Sequence, residues 1–290
     1  MAPASKRPGE LSPADRIGWQ FHSPQNDLAQ QLREELLALA ANAIAGNFGL
    51  AYHRSRRAST WRASAGGAAE LQVYIKLMRP PRGMARIKRI IKGPHGAYLE
   101  AITQALNDAG FGAPPILLRG TERHGTELIV TLAAGGDGPM RVLAELSEGR
   151  VARKRVVLRG IGRELARLHR CGFIHGDLTP FNLFLIRGEP LRVALIDNDR
   201  TRRKPLLLGR RTELRNLVQL GRFALKGISR SDKLRVMHGY TEMMNPHMRN
   251  AVTRRASVML NRRLRRDGGL TAVAARPETP ASRDERKGIR

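Results

Sequence analysis

Two short stretches hold the residues best suited to chemistry. In "HGDLTPFN", an aspartate (Asp177) follows His-Gly directly and an asparagine (Asn182) stands five positions later. Further on, the apolar run "VALI" ends in "DND", with Asp197 first. Asp and Asn side chains offer the hard oxygen donors that Mg²⁺ prefers, and Mg²⁺ commonly arrives with substrate phosphates. A carboxylate left off the metal can take a proton from a hydroxyl. Phosphoryl transfer needs this combination, because positioning and charge neutralisation do most of its catalysis. The plainer alternatives are a helix cap or turn for Asp177 and a strand-end turn for Asp197.

The surrounding pattern says what must hold these residues. Upstream, Leu158, Ile161, Leu165 and Leu168 form an amphipathic stripe, which predicts a helix ending at "RCG". Downstream, "NLFLI" and "RVALI" read as two short strands, so the first stretch is the loop between a helix and a hairpin, and Asp177, Asn182 and Asp197 are expected around one small cleft. "TELRNLVQLGRFAL" and "SDKLRVMHGYTEMM" read as helices, the latter with a Ser229-x-x-Asp232 capping pattern. The first half differs. A helix is expected from Asn26 to Gly46, strands at "FGLAYHRSRRASTWRA", "LQVYIKLM" and "TELIVTL", and a helix at "GAYLEAITQALNDAG" with Leu99, Ile102 and Leu106 on one face. "AAGGDGP" is a Gly-rich connection suited to a hinge. The expectation is an α+β chain in two lobes: a flexible tail over 1–25, a small strand-rich lobe over 26–134, a mostly helical lobe over 135–268 and a second tail over 269–290.

Composition narrows the classes. At 290 residues with 41% hydrophobic residues the chain can build a real core, and its single cysteine, Cys171, excludes an internal disulfide and a Cys-based zinc site. Cys171 is expected to be a small buried residue beside the loop. The first 25 residues lack the apolar core of a secretory signal, and no segment is long enough to span a bilayer, so the chain reads as soluble and cytoplasmic. Lys plus Arg is 52 against 25 acids, a formal net charge of +27. Such a field attracts polyanions, whether nucleic acid, anionic lipid or phosphorylated glycolipid, and a compositionally biased surface produces the same number. Trp19 and Trp61 are too isolated for base stacking, which weighs against nucleic acid.

At "HGDLTPFN" and "LIDND" the chain resembles the protein-kinase-like superfamily, the first standing for the H-R-D-L-x-x-x-N loop and the second for Asp-Phe-Gly. That resemblance implies a bilobal protein-kinase-like fold with ATP and Mg²⁺ as cofactors, Asp177 as catalytic base, Asn182 as a metal ligand and Asp197 as the main metal ligand. "QVYIK" resembles the V-A-I-K strand, making Lys76 the residue that holds the ATP phosphates, with Glu100, the single Glu between Leu71 and Gly120, as its ion-pair partner. His175 orients the loop. No G-x-G-x-x-G precedes Lys76; the backbone around Ser55 to Thr60, Ser59 and Thr60 included, together with Arg56 or Arg57, would have to cover the phosphates. Gly176 replaces the usual Arg, no Ala-Pro-Glu follows Asp197, and the next segment is short and basic, so a non-protein acceptor is expected.

Within the superfamily the motifs "HGDLTPFN", "IDNDR", "TRRK" and "ELRNLVQL" resemble the lipopolysaccharide kinases, the Kdo and core-heptose kinase family, with Asn198 where that family usually has an aromatic. The resemblance implies ATP-dependent phosphorylation of a sugar hydroxyl on the lipopolysaccharide inner core, peripherally at the cytoplasmic face of the inner membrane. The basic stretches Arg79 to Lys92 and Asp199 to Lys204 would then face an anionic membrane surface. An aminoglycoside-type or RIO-like phosphotransferase and a non-catalytic adaptor for anionic membrane or nucleic acid are the competing readings.

Overall fold

The computed structural model describes residues 18–55, 57–67, 70–80, 93–138, 141–142, 151–186, 188–204, 210–225 and 227–272. They form two compact units, the first running to Gly135 and taking in Ala194–Asp199, the second comprising the remainder. The boundary between Gly135 and Gly136 falls inside "AAGGDGP". The architecture is α+β and kinase-like, with an antiparallel sheet in the N-terminal part and a mostly helical C-terminal part.

In chain order the first unit has β1 (Trp19–His22), α1 (Asp27–Gln31), α2 (Arg33–Ala45), β2 (His53–Arg54), β3 (Ala58–Ala65), β4 (Leu71–Met78), α3 (His95–Asp108), β5 (Ile116–Glu122) and β6 (Glu127–Leu132). The helix expected from Asn26 to Gly46 is two helices that meet at Leu32. Asn26 caps the first, its Oδ1 accepting from Ala29 N at 2.7 Å. Residues 1–25 are not all tail, because Trp19–His22 pairs with Glu122–Arg119 as an edge strand.

The six-stranded sheet has the order β1-β5-β6-β4-β3-β2 and is antiparallel throughout. Strand side chains alternate between faces, and directly paired residues share one. Val73, Ile75, Leu118, Leu128 and Val130 lie on one face and pack with Leu32, between the two helices, and with Leu36, Ala40 and Ala43 of α2 into a buried core. Burying each of the larger side chains is worth about 1.5–3 kcal/mol. The opposite face carries a row fixed by register: Thr60, Lys76, Ile129, Arg119 and His22. Helix α3 covers the β5–β6 end of that row, burying the expected Leu99, Ile102 and Leu106.

The start of α3 is fixed from the sheet. Pro94 at the N-cap has no side-chain oxygen to offer the first amides. Glu127, buried at the start of β6, accepts from His95 N at 3.0 Å and Gly96 N at 2.7 Å instead. A carboxylate on two such amides also suits the positive end of the helix dipole.

The second unit begins with α4 (Val151–Arg170), followed by β7 (Phe173–Ile174), β8 (Leu183–Ile186) and β9 (Arg192–Leu195), whose last two residues pass into the first unit. Then come β10 (Arg202–Arg203), α5 (Arg211–Gly221), β11 (Phe223–Ala224), α6 (Arg230–Thr241), α7 (Pro246–Asp267) and β12 (Thr271–Ala272). The last of these pairs in parallel with β11, so the chain is ordered beyond the expected start of the tail at 269. The stripe on α4 is buried as its periodicity implies, and α6 opens on the expected capping box between Ser229 and Asp232. Cys171, just after α4, is exposed rather than buried, because the chain turns outward there before β7.

Helices α4 and α6 meet backbone to backbone. A Cβ on Gly162 would lie 2.1 Å from the Val236 carbonyl oxygen, and one on Gly239 would lie 2.0 Å from that of Arg159. Alanine is intrinsically the better helix former by up to about 1 kcal/mol. Overpacking against rigid backbone costs about 1–3 kcal/mol, so the clash wins. Gly239→Ala is expected to lower the unfolding free energy by about 2 kcal/mol in urea titration, with an unchanged m-value.

Candidate active site

In the first unit the strand lysine finds acids, though not the expected one. Lys76 Nζ lies 2.5 Å from Asp199 Oδ2 and 3.1 Å from Asp197 Oδ1. Asp197 has a positive φ of 55°, sparsely populated for a residue with a side chain, and a short 3₁₀ turn, Asn198–Arg200, follows it. Asn198 is buried and its Nδ2 donates to Leu195 O at 2.8 Å, which ties the turn to the end of β9. Both carboxylates are thereby presented to the lysine. His95, the first residue of α3, adds its Nε2 at 3.5 Å from Asp199 Oδ1.

Burial pulls the Lys76 ammonium towards neutrality, but the charges of Asp199 and then Asp197 outweigh it and its pKa is raised. Burial likewise pushes Asp199 up, yet its contact with His95 and the charge of Lys76 hold it well below the usual carboxylate range. The contact with Asp199 raises His95 above the ordinary histidine value.

Glu100 is elsewhere. It pairs with Arg119 at 2.8 Å and lies 3.8 Å from His22 Nε2. Lys76 and Arg119 sit on the same row with β6 between them, two strand spacings or roughly 9–10 Å apart. Helix α3 lies over β5 and β6, so its glutamate meets the arginine at the far end of the row. The expected Lys76–Glu100 pair is therefore replaced by Lys76 with Asp197 and Asp199. Thr60 is directly across from Lys76 and shares its face, whereas Ser59 pairs with Leu77 and is buried on the other face. In the turn before them, Ser55 Oγ takes the amides of Arg57 and Ala58 at 3.2 and 3.0 Å, so these two amides already have an internal acceptor.

In the second unit the loop is built on buried hydrogen bonds. Asn182 Nδ2 donates to Asp177 O at 2.9 Å, which leaves its Oδ1 as the oxygen available to a cation. Asp177 N donates to His175 Nδ1 at 3.3 Å, placing the ring proton on Nε2. His175, fully buried, donates its own N–H to Asn216 Oδ1 at 3.1 Å. The same Oδ1 lies 3.3 Å from His169 Nε2, and His169 Nδ1 lies 2.9 Å from Tyr240 Oη. Tyr240 donates to Glu213 Oε2 at 3.3 Å, and Lys204 completes the chain at Glu213 Oε1, 2.5 Å away. Gln219, on the same helix as Asn216, donates from Nε2 to Asp177 Oδ1.

Gly176 has a physical reason to be glycine. Its φ is +76°, and a Cβ would stand 2.5 Å from Arg200 O, where the following strand crosses the loop. Thr201 Oγ1 donates to His175 O at 3.3 Å in the same crossing. Of the expected residues, the structure groups Lys76 with Asp197 and Thr60, and Asp177 with Asn182 and His175. Sequence reasoning missed Asp199, Gln219, Asn216 and His95. Asp199 had a visible signal, being the second acid of "DND"; the others depend on contacts between distant elements.

Residues 101–240 match the lipopolysaccharide kinase (Kdo/WaaP) family. The match includes Asp177, Asn182 and Asp197 and begins after Lys76. The chain is also 33% identical over 81 residues to a curated protein of Archaeoglobus fulgidus named "Probable serine/threonine-protein kinase BUD32 homolog". That alignment covers 24% of this chain and 40% of the relative, so the chain spans less than half the length of the curated relative it matches.

The buried chain carries a pH signature. Burial pushes the His169 ring down to about 4, against Asn216 and Glu213, which raise it. A histidine with a depressed folded pKa contributes stability that is present above its unfolded value near 6.5 and is lost as pH falls towards 4. The full effect is of order 3 kcal/mol. Urea titrations should show wild-type stability falling through this window, and His169→Gln should flatten that part of the profile. Parallel profiles in the two proteins would place the titration elsewhere. Over its central segment, 101–240, the chain resembles the lipopolysaccharide kinase (Kdo/WaaP) family, and its fold is kinase-like.

Proposed function

We propose that this protein is an ATP- and Mg²⁺-dependent kinase that phosphorylates a sugar hydroxyl, Kdo or heptose, of the lipopolysaccharide inner core. The observation that carries the reading is Lys76 Nζ at 3.1 Å from Asp197 Oδ1, residues 121 positions apart in sequence. A phosphate-holding lysine beside a strand-end aspartate is half of a phosphoryl-transfer site. The resemblance of residues 101–240 to the lipopolysaccharide kinase family supports the acceptor class.

Lys76 steadies the ATP phosphates, with Thr60 beside it. Asp177 takes the proton of the acceptor hydroxyl as its oxygen attacks the γ-phosphorus and the bond to the β–γ bridging oxygen breaks. Gln219 holds one Asp177 oxygen and leaves the other for the proton. Asn182 Oδ1 and the half-exposed Asp197 carboxylate are hard oxygens of the type Mg²⁺ takes, and they would hold it. When bound, the ion neutralises charge on the phosphate oxygens. Asp177→Ala and Asp197→Ala are each expected to reduce radiolabelled phosphate transfer to purified lipopolysaccharide by at least about 10²–10⁴-fold. Near-wild-type turnover in Asp177→Ala would sink the reading. Aminoglycosides and RNA as parallel acceptors test the competing phosphotransferases, and no transfer to any acceptor would favour the adaptor.

The charge supports an anionic glycolipid at a membrane surface. Among the described residues no helix is long and apolar enough to cross a membrane. Helix α7 exposes Arg254, Arg255, Arg262 and Arg265 and buries little besides Val252 and Ala256. In the segment after Asp199, Arg200 and Arg202 are exposed, whereas Arg203 lies 4.2 Å over the Phe173 ring and donates to Cys171 O. Most of the other basic stretch, 81–92, lies outside the described residues. Each arginine near an anionic surface is worth up to about 1 kcal/mol. Replacing Arg200 and Arg202 with Gln is expected to raise KM for the lipid acceptor several-fold at low salt and to leave KM for ATP nearly unchanged. The difference should shrink as salt rises.

A further inference from the structure

Lys76 sits between two carboxylates of different character. The contact to Asp199 is the shorter, 2.5 Å against 3.1 Å, and Asp199 is the more enclosed, with 28% of its side chain exposed against 45% for Asp197. Asp199 is in turn approached by His95 at 3.5 Å from the first turn of α3, whose position Glu127 fixes. The helix glutamate that the kinase resemblance assigned to this lysine, Glu100, is instead held by Arg119 at 2.8 Å.

We propose that Asp199 is the positioning residue for Lys76, replacing a glutamate from the helix, and that His95 braces it; this rests on the phosphotransferase reading. The physical need is specific. A lysine side chain has four rotatable bonds and loses substantial rotamer freedom when its ammonium is fixed. A carboxylate that holds it before nucleotide binds removes that cost from the binding step. Asp197 alone serves poorly, because its oxygens are the ones required opposite the phosphates. A second acid two residues on, carried by the same 3₁₀ turn, keeps the lysine in place while Asp197 is engaged. Helix α3 contributes through His95 at its N-terminus rather than through an acid on its second turn.

The test uses the full-length protein, with ATP, Mg²⁺ and purified lipopolysaccharide. Asp199→Asn is expected to raise KM for ATP about tenfold or more, as loss of a charged hydrogen bond implies. Asp199→Glu should recover part of that loss. Glu100→Gln should change KM for ATP less than twofold. Lys76→Met combined with Asp199→Asn should be no worse than the worse single variant, because the pair is lost once. The Mg²⁺ concentration giving half-maximal rate should be the same in Asp199→Asn and wild type. Wild-type ATP kinetics in Asp199→Asn, a Glu100→Gln defect of equal size, or rescue of Asp199→Asn by excess Mg²⁺ would each overturn the assignment. Thermal unfolding of each variant separates a folding defect from a kinetic one, and the charge-preserving Asp199→Glu keeps the comparison open if Asp199→Asn fails to fold. Failure of the phosphotransferase reading looks different, because wild type itself would then transfer no phosphate from ATP to any acceptor.

Discussion

A lysine ammonium on a sheet face, three-quarters withdrawn from solvent, has to be matched by negative charge, and much of the first unit is arranged around that requirement for Lys76. Leaving such an ion unpaired would cost several kcal/mol. The match is made by a segment more than a hundred residues away, Asp197 to Asp199, which joins the sheet unit rather than the helical unit that flanks it in sequence. The sharp turn at Asp197, with its positive φ, and the Asn198 bond to Leu195 are the local means of delivering two acids to one ammonium. The row of side chains across the sheet sets the rest. Arg119, on the same face two strands away, makes its own demand for an acid, and Glu100 meets it.

The second unit solves a different problem. Fully buried polar groups must be hydrogen-bonded, and such networks are cooperative when complete. The chain from Lys204 through Glu213, Tyr240, His169, Asn216 and His175 to the Asp177 amide links them in series. Apart from Lys204, which follows β10, its members come from α4, α5, α6 and the loop itself, so the network ties the loop to three helices at once. The glycine contact between α4 and α6 brings two of those helices close enough for His169 to reach Tyr240. The geometry of the "HGDLTPFN" loop and the packing of the helices are therefore one constraint.

The surface charge obeys looser rules. Arg203 is spent on Phe173 and the Cys171 carbonyl, Arg119 on Glu100, and Lys154 on Asp232 at 2.8 Å between α4 and α6. Part of the +27 excess is thus structural, while Arg254, Arg255, Arg262 and Arg265 of α7 and Arg200 and Arg202 are exposed.

Local sequence determined what local physics decides. Period-3.6 apolar stripes gave α3 and α4 their buried faces, the Ser229–Asp232 pattern gave α6 its cap, and "HGDLTPFN" and "IDND" announced a loop and a strand end bearing oxygen donors. The change from a strand-rich to a mostly helical part was legible in the patterns on either side of "AAGGDGP", but the return of Ala194–Asp199 to the first unit was not. Tertiary structure alone decided which acid meets which base. Nothing in the residues around Lys76 distinguishes Glu100 from Asp199 as its partner; the register that puts Arg119 on the same row, and the Glu127 cap that sets where α3 lies along it, make the choice. The same holds for Asn216 and Gln219, ordinary helix residues in sequence. They reach the loop because α5 turns one face to it, and helix faces are assigned by packing between elements far apart in the chain.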